Sequence, residues 1–152
     1  MLVLPFRIGD SWYGVEAREV VEVVPHVPLR PCPGAPDYVA GLLNHRGCLV
    51  PVLDLGLRMG APPCGPRLST RILVVLYPGT AGVPRRLGLL AESLTATLTL
   101  EEDAFLRGDV SVAASPYLGP VATGANGLVQ CVRAQGLIPA EVESLLFSGV
   151  GA

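Results

Sequence analysis

Few side chains in this chain are placed to do covalent chemistry. His45 stands three residues before Cys48, with Asp54 downstream, so a Cys/His nucleophile is conceivable. A reactive thiol needs a base within reach and an accessible position. Cys48 instead opens the apolar run Cys48–Leu53, where a cysteine behaves as a small hydrophobe. His26, Cys32, His45, Cys48 and Cys64 are ligand types that zinc accepts, but their spacings match no common zinc pattern. There is no phosphate-cradling glycine loop and no G-x-S-x-G elbow. The acidic run Glu101-Glu102-Asp103 reads as a solvated helix start. The expectation is no catalytic residue, no metal and no cofactor.

Two charged residues are better suited to recognition. Arg46 lies in Asn44-His45-Arg46-Gly47, which reads as a tight turn with Asn first and Gly last. Arg46 is then either a plain surface charge or a fork of donors on a rigid turn, fit for a carboxylate or carbonyl. Glu22 interrupts a valine run (Val20, Val21, Val23, Val24), so it either points to solvent or marks an interface.

The elements that would carry these residues are mostly strands. Leu2–Ile8 and Trp12–Val15 read as a hairpin around Gly9-Asp10-Ser11, and Ala17–Val24 as a helical turn running into a strand. A proline-rich loop follows, with a short helical turn at Asp37–Val39, then Leu42-Leu43 as the end of a strand. Cys48–Leu53 is apolar on both faces and reads as a strand buried on both sides, with Pro51 at an edge or bulge. Asp54 is placed to cap a short helix Leu55–Met59 that Gly60 stops. Arg71–Leu76, Leu87–Ala91, Leu94–Leu100 and Leu128–Val132 read as strands, Glu101–Leu106 as a helical turn, Ser111–Thr123 as loop or weak strand, and Pro139–Leu146 as a helix. Strand signals at roughly ten-residue spacing suggest small barrels.

Composition narrows the class. The chain has 152 residues, half of them hydrophobic and 16% charged, with 18 glycines and 15 prolines. Mean hydropathy is +0.50. Such a chain folds around a core and is not a disordered charged tail. Its net charge of −2, with arginine supplying every basic residue, is not the footprint of a nucleic-acid binder. No run is long and apolar enough to insert in a membrane, and no signal peptide or leader is read, so a cytoplasmic location with free thiols is expected.

The segment Gly41-x-x-Asn44-x-Arg46-Gly47-x-x-x-Pro51-x-x-Asp54-Leu55 resembles the signature of the CheW family, the chemotaxis coupling proteins. Val20-x-Glu22-Val23 is similar to that family's V-x-E-V segment, and Ala35-Pro36 precedes Gly41 as its proline motif does. Gly88–Leu94 resembles its g-l-l-V-D-x-V strand with Glu92 for the usual Asp, and Pro116–Val121 its y-l-x-G-v segment. His45 stands where the family usually has leucine. The resemblance implies a mostly β fold: two small SH3-like five-stranded β-barrels packed together, with short helices including one at the C-terminus. It implies one domain over residues 1–152, with one sub-barrel over 12–77 and the other over 1–10 plus 83–146. It also implies a non-enzymatic adaptor between the cytoplasmic tip of chemoreceptors and the regulatory domain of a CheA-type histidine kinase, in arrays at the inner face of the membrane. A coupling protein of a pathway with another output than swimming, and a generic small-barrel peptide-binding module, are the alternatives. Protein-contact roles are implied for Val20, Glu22, Gly41, Asn44, His45, Arg46 and Gly47, the two flexible glycines letting a partner backbone approach. Exposed apolar area on the barrel faces leaves room for self-association.

Overall fold

The computed structural model describes residues 1–78, 84–108 and 115–147. Ten strands form two five-stranded sheets. The first contains β1 (Leu2–Ile8), β2 (Ser11–Glu16), β8 (Leu98–Thr99), β9 (Leu118–Gly124) and β10 (Gly127–Val132), in the order β8-β1-β2-β10-β9. The second contains β3 (Val20–Pro25), β4 (Val39–His45), β5 (Cys48–Asp54), β6 (Arg71–Tyr77) and β7 (Arg85–Ala91), in the order β3-β6-β7-β5-β4.

Each sheet curls until its ends nearly meet. Beyond the edge strand β3, Arg30 exchanges two main-chain hydrogen bonds with Leu42 of β4, the opposite edge (2.9 and 2.8 Å). In the first sheet the chain leaving β8 makes one 3₁₀ turn at Glu102–Ala104, and Phe105 then bridges to Ala122 of β9. Gly41 makes the first closure sterically feasible. Its φ is +152°, and a β-carbon there would lie 2.6 Å from the Arg30 carbonyl oxygen.

The central strands of the second sheet are apolar because both faces are covered. Ile72, Leu73, Val74 and Val75 of β6 and Leu87, Leu89 and Leu90 of β7 are buried. Pro51 lies inside β5 rather than at a sheet edge. It sits one residue before the parallel pairing of β5 with β7 begins at Val52, so its missing N–H removes no bond from that ladder. Asp54 caps α1 (Leu55–Arg58), accepting from Leu57 N at 3.2 Å, and also holds Cys64 N at 3.1 Å. One core cluster runs from Phe6 and Val15 through Leu53, Leu73 and Leu89 to Leu137 and Val142 of α2 (Ala140–Phe147), so the two sheets share an interior.

Several expectations shift. The sub-barrel limits 12–77 and 1–10 plus 83–146 do not follow the sheets. The short Gly9-Asp10 turn keeps β2 paired with β1, and the β6–β7 ladder keeps β7 with the second sheet. Leu94–Leu100 is strand only at Leu98–Thr99, because β1 offers a pairing partner only to those two residues. Asp37 and Tyr38 form a turn that leads into β4 instead of a helical turn. Leu118–Thr123 lies within a full strand, whereas residues 111–114 of the expected weak strand fall outside the described residues.

Candidate functional site

The β4–β5 hairpin carries the centre of the site. His45 and Cys48 are its last paired residues, so the loop is the two residues Arg46 and Gly47. Both have positive φ, +53° and +82°, the requirement of a type I′ turn whose twist matches the flanking strands. The turn therefore lies one residue later than expected, and His45 belongs to β4. Asn44 stays exposed and its Oδ1 accepts from Gly47 N at 2.9 Å, which braces the turn.

His45 points inward and is 4% exposed. A buried imidazole needs polar partners inside the barrel mouth. It has two. Nε2 lies 2.6 Å from Oε1 of Glu22 on β3, and Nδ1 lies 3.3 Å from Nη1 of Arg86 on β7. A guanidinium only donates, so Nδ1 accepts and Nε2 carries the hydrogen given to Glu22. Arg46 reaches the same Glu22 oxygen with Nη2 at 3.2 Å while remaining 75% exposed. The hydrogen bond from His45 holds the Glu22 carboxyl below its ordinary range against partial desolvation, with the charge of Arg46 adding to the effect.

The seven residues expected to contact partners thus divide. Glu22, His45 and Arg46 form one hydrogen-bonded unit, and Asn44 and Gly47 shape its turn. Val20 is half-buried and packs on the core at the start of β3. Gly41 is buried, and the backbone that approaches it closely is the chain's own, at Arg30. Among the described residues no three His, Cys, Asp or Glu side chains gather as a metal site, and none of the helices is long and apolar enough to cross a membrane.

Arg86 was not legible as part of the site, because it enters from β7, forty-one residues away from His45 in the chain. Leu49 was also missed. It is 64% exposed beside Cys48, not buried on both sides, since this end of β5 runs beyond the strands that would cover it. Its nearness to the turn is the one sequence signal for that exposure.

The model of the CheW-like domain matches residues 2–142. A probable chemotaxis protein CheW of Rhizobium etli is 32% identical over 102 residues, which cover 66% of this chain and 62% of that protein. The match thus spans about three fifths of that relative's length. Protein FrzA of Myxococcus xanthus is 42% identical over 71 residues, covering 45% of this chain and 43% of that one. The crystal structure of the scaffolding protein TtCheW from Thermoanaerobacter tengcongensis superposes with a TM-score of 0.81 at 22% identity, over 95% of this chain and 92% of that chain, and so shares the fold. With that fold, and with the domain match running almost from end to end, the chain belongs to the CheW-like domain family.

Proposed function

We propose that the chain is a non-enzymatic adaptor that couples chemoreceptors to a CheA-type histidine kinase in chemosensory two-component signalling. The supporting observation is Arg46, carried at the apex of a rigid two-residue turn and tethered to Glu22, yet three-quarters exposed. A guanidinium fixed at one end and solvated at the other is pre-organised for a partner's acceptors. The adaptor would work in the cytoplasm at receptor arrays, presenting Val20, Glu22, Asn44, Arg46 and Gly47 around that contact, with His45 and Gly41 shaping it from within.

The test is reconstitution of a receptor cytoplasmic fragment and the histidine kinase from the same cell. Kinase autophosphorylation should depend on receptor only when this chain is added, and Arg46→Ala should weaken capture of one partner about tenfold. Intact capture of both partners by Arg46→Ala removes Arg46 from the contact, and the absence of any capture by the unaltered chain removes the adaptor reading.

A second reading is a coupling protein of a pathway with another output than swimming. The 42% identity with Protein FrzA, a relative not named for chemotaxis, favours it. Deleting the gene and scoring swimming against surface behaviour separates the two.

A further inference from the structure

Three of the eleven arginines, Arg46, Arg85 and Arg86, converge on a single groove of about 840 Å³. It lies between the β4–β5 turn, the start of β7 and the end of α2. Its apolar lining includes Leu49, Leu146 and Phe147, and no carboxylate is among the described residues that line it. The whole chain carries a net charge of −2, so the groove is a local positive focus on an acidic molecule.

The cations here are pre-positioned. The Arg85 guanidinium lies over the Phe147 ring at 5.1 Å, and Phe147 stacks on buried Tyr77 with centroids 5.8 Å apart. A cation–π contact of this kind draws the guanidinium to the wall of the groove, where its N–H donors suit a carboxylate. Arg86 is tied back to His45 and Arg46 to Glu22, each through one terminal nitrogen. Ordering these side chains before binding lowers the entropy that docking would otherwise cost. Beside them Leu49, 64% exposed, offers an apolar contact at the edge of the cations.

From this arrangement we infer that the groove docks an acidic segment of a partner protein that also carries apolar anchors. Charge complementarity selects the acidic groups, and the leucine and phenylalanine surface selects side chains over bare phosphate. A nucleic acid would call for a longer basic track than three arginines beside an apolar wall. The inference names the chemistry of a partner for the adaptor proposed above, and rests on that reading only for the partner's identity.

The test is an NMR titration of the full chain with a synthetic peptide alternating glutamates and leucines, its counterpart with lysines for glutamates, and inorganic pyrophosphate. The glutamate peptide should shift the amides of Arg46–Leu49 and Phe147, and Leu49→Glu or Arg85→Glu should weaken that binding about tenfold. The lysine peptide should shift none of them. Shifts elsewhere, no shifts, or an equal response to pyrophosphate that ignores Leu49→Glu would overturn the inference. The same two variants are then titrated with the kinase regulatory domain and the receptor fragment. If both partners bind the variants as they bind the unaltered chain, the groove is not a docking surface although the adaptor reading stands. If neither partner binds the unaltered chain while the glutamate peptide does, the groove stands and the adaptor reading falls.

Discussion

At the scale of single residues, His45 is the side chain whose loss should be felt most widely. Replacing it by alanine removes the shorter of the two polar contacts to Glu22 Oε1 and the acceptor of Arg86 Nη1, and opens a cavity at the barrel mouth. His45→Ala should cost about 2–4 kcal/mol in urea unfolding. Arg46→Ala should leave the thermal midpoint within about 2 °C, because an exposed ion pair contributes little. Glu22 gives a pH signature. Its carboxyl is held below the ordinary value of 4.5, so the unfolded chain takes up the proton first as pH falls. The stability it contributes is present above that value and is lost as pH drops through the lower, folded one. Thermal midpoints of the unaltered chain and Glu22→Gln should differ at pH 6, and the difference should shrink as the pH is taken progressively below 4.5. Cysteine reactivity offers a further check. Burial pushes the Cys64 thiol up to about 12, whereas Cys48 is exposed. Iodoacetamide at pH 8 should therefore label Cys48 and spare Cys64 in the native chain, as read by peptide mass spectrometry.

At the scale of elements, the closure of the second sheet hangs on one glycine. A β-carbon at Gly41 would meet the Arg30 oxygen at 2.6 Å, and the φ of +152° disfavours any side chain. Gly41→Ala should cost about 3 kcal/mol or more and speed amide exchange at Leu42. Much of this level was legible beforehand, where the signal was local. The capped helix at Asp54, the hairpin after Ile8 and the buried runs Arg71–Leu76 and Leu87–Ala91 announce themselves through neighbours in the chain. What could not be read was set by distant partners. The length of β8 depends on β1, the exposure of Leu49 on which strands end early, and the role of Arg86 on a contact across the barrel mouth. The candidate site is legible in outline because Glu22 interrupts a valine run and Arg46 falls in an Asn-x-x-Gly turn. The sequence reads His45 as part of the turn because Asn-x-x-Gly suits a four-residue turn as well as it suits the braced I′ hairpin that forms.

At the scale of the whole molecule, the two sheets are joined by more than a common core. Arg7 N donates to the Glu92 carbonyl at 2.9 Å, linking the end of β1 to the chain leaving β7. Arg58 lies between Tyr38 and Tyr117, 5.3 and 4.8 Å from their ring centroids, and donates to the Leu137 carbonyl at 2.6 Å. It ties the loop before β4 to the segments before β9 and α2. Arg58→Ala should cost about 1–3 kcal/mol, with amide exchange accelerated around Tyr117 and Leu137 before that of β6. Curling each sheet until its edges are bridged has a further result. A long unpaired strand edge is a template on which any other chain can add a strand, in useful recognition or in fibril growth. Here the Arg30–Leu42 and Phe105–Ala122 bridges occupy part of the edges that would serve. A chain half of whose residues are hydrophobic is thereby steered away from amyloid-like stacking, and its side chains, instead of its backbone ladder, are what it offers to another molecule.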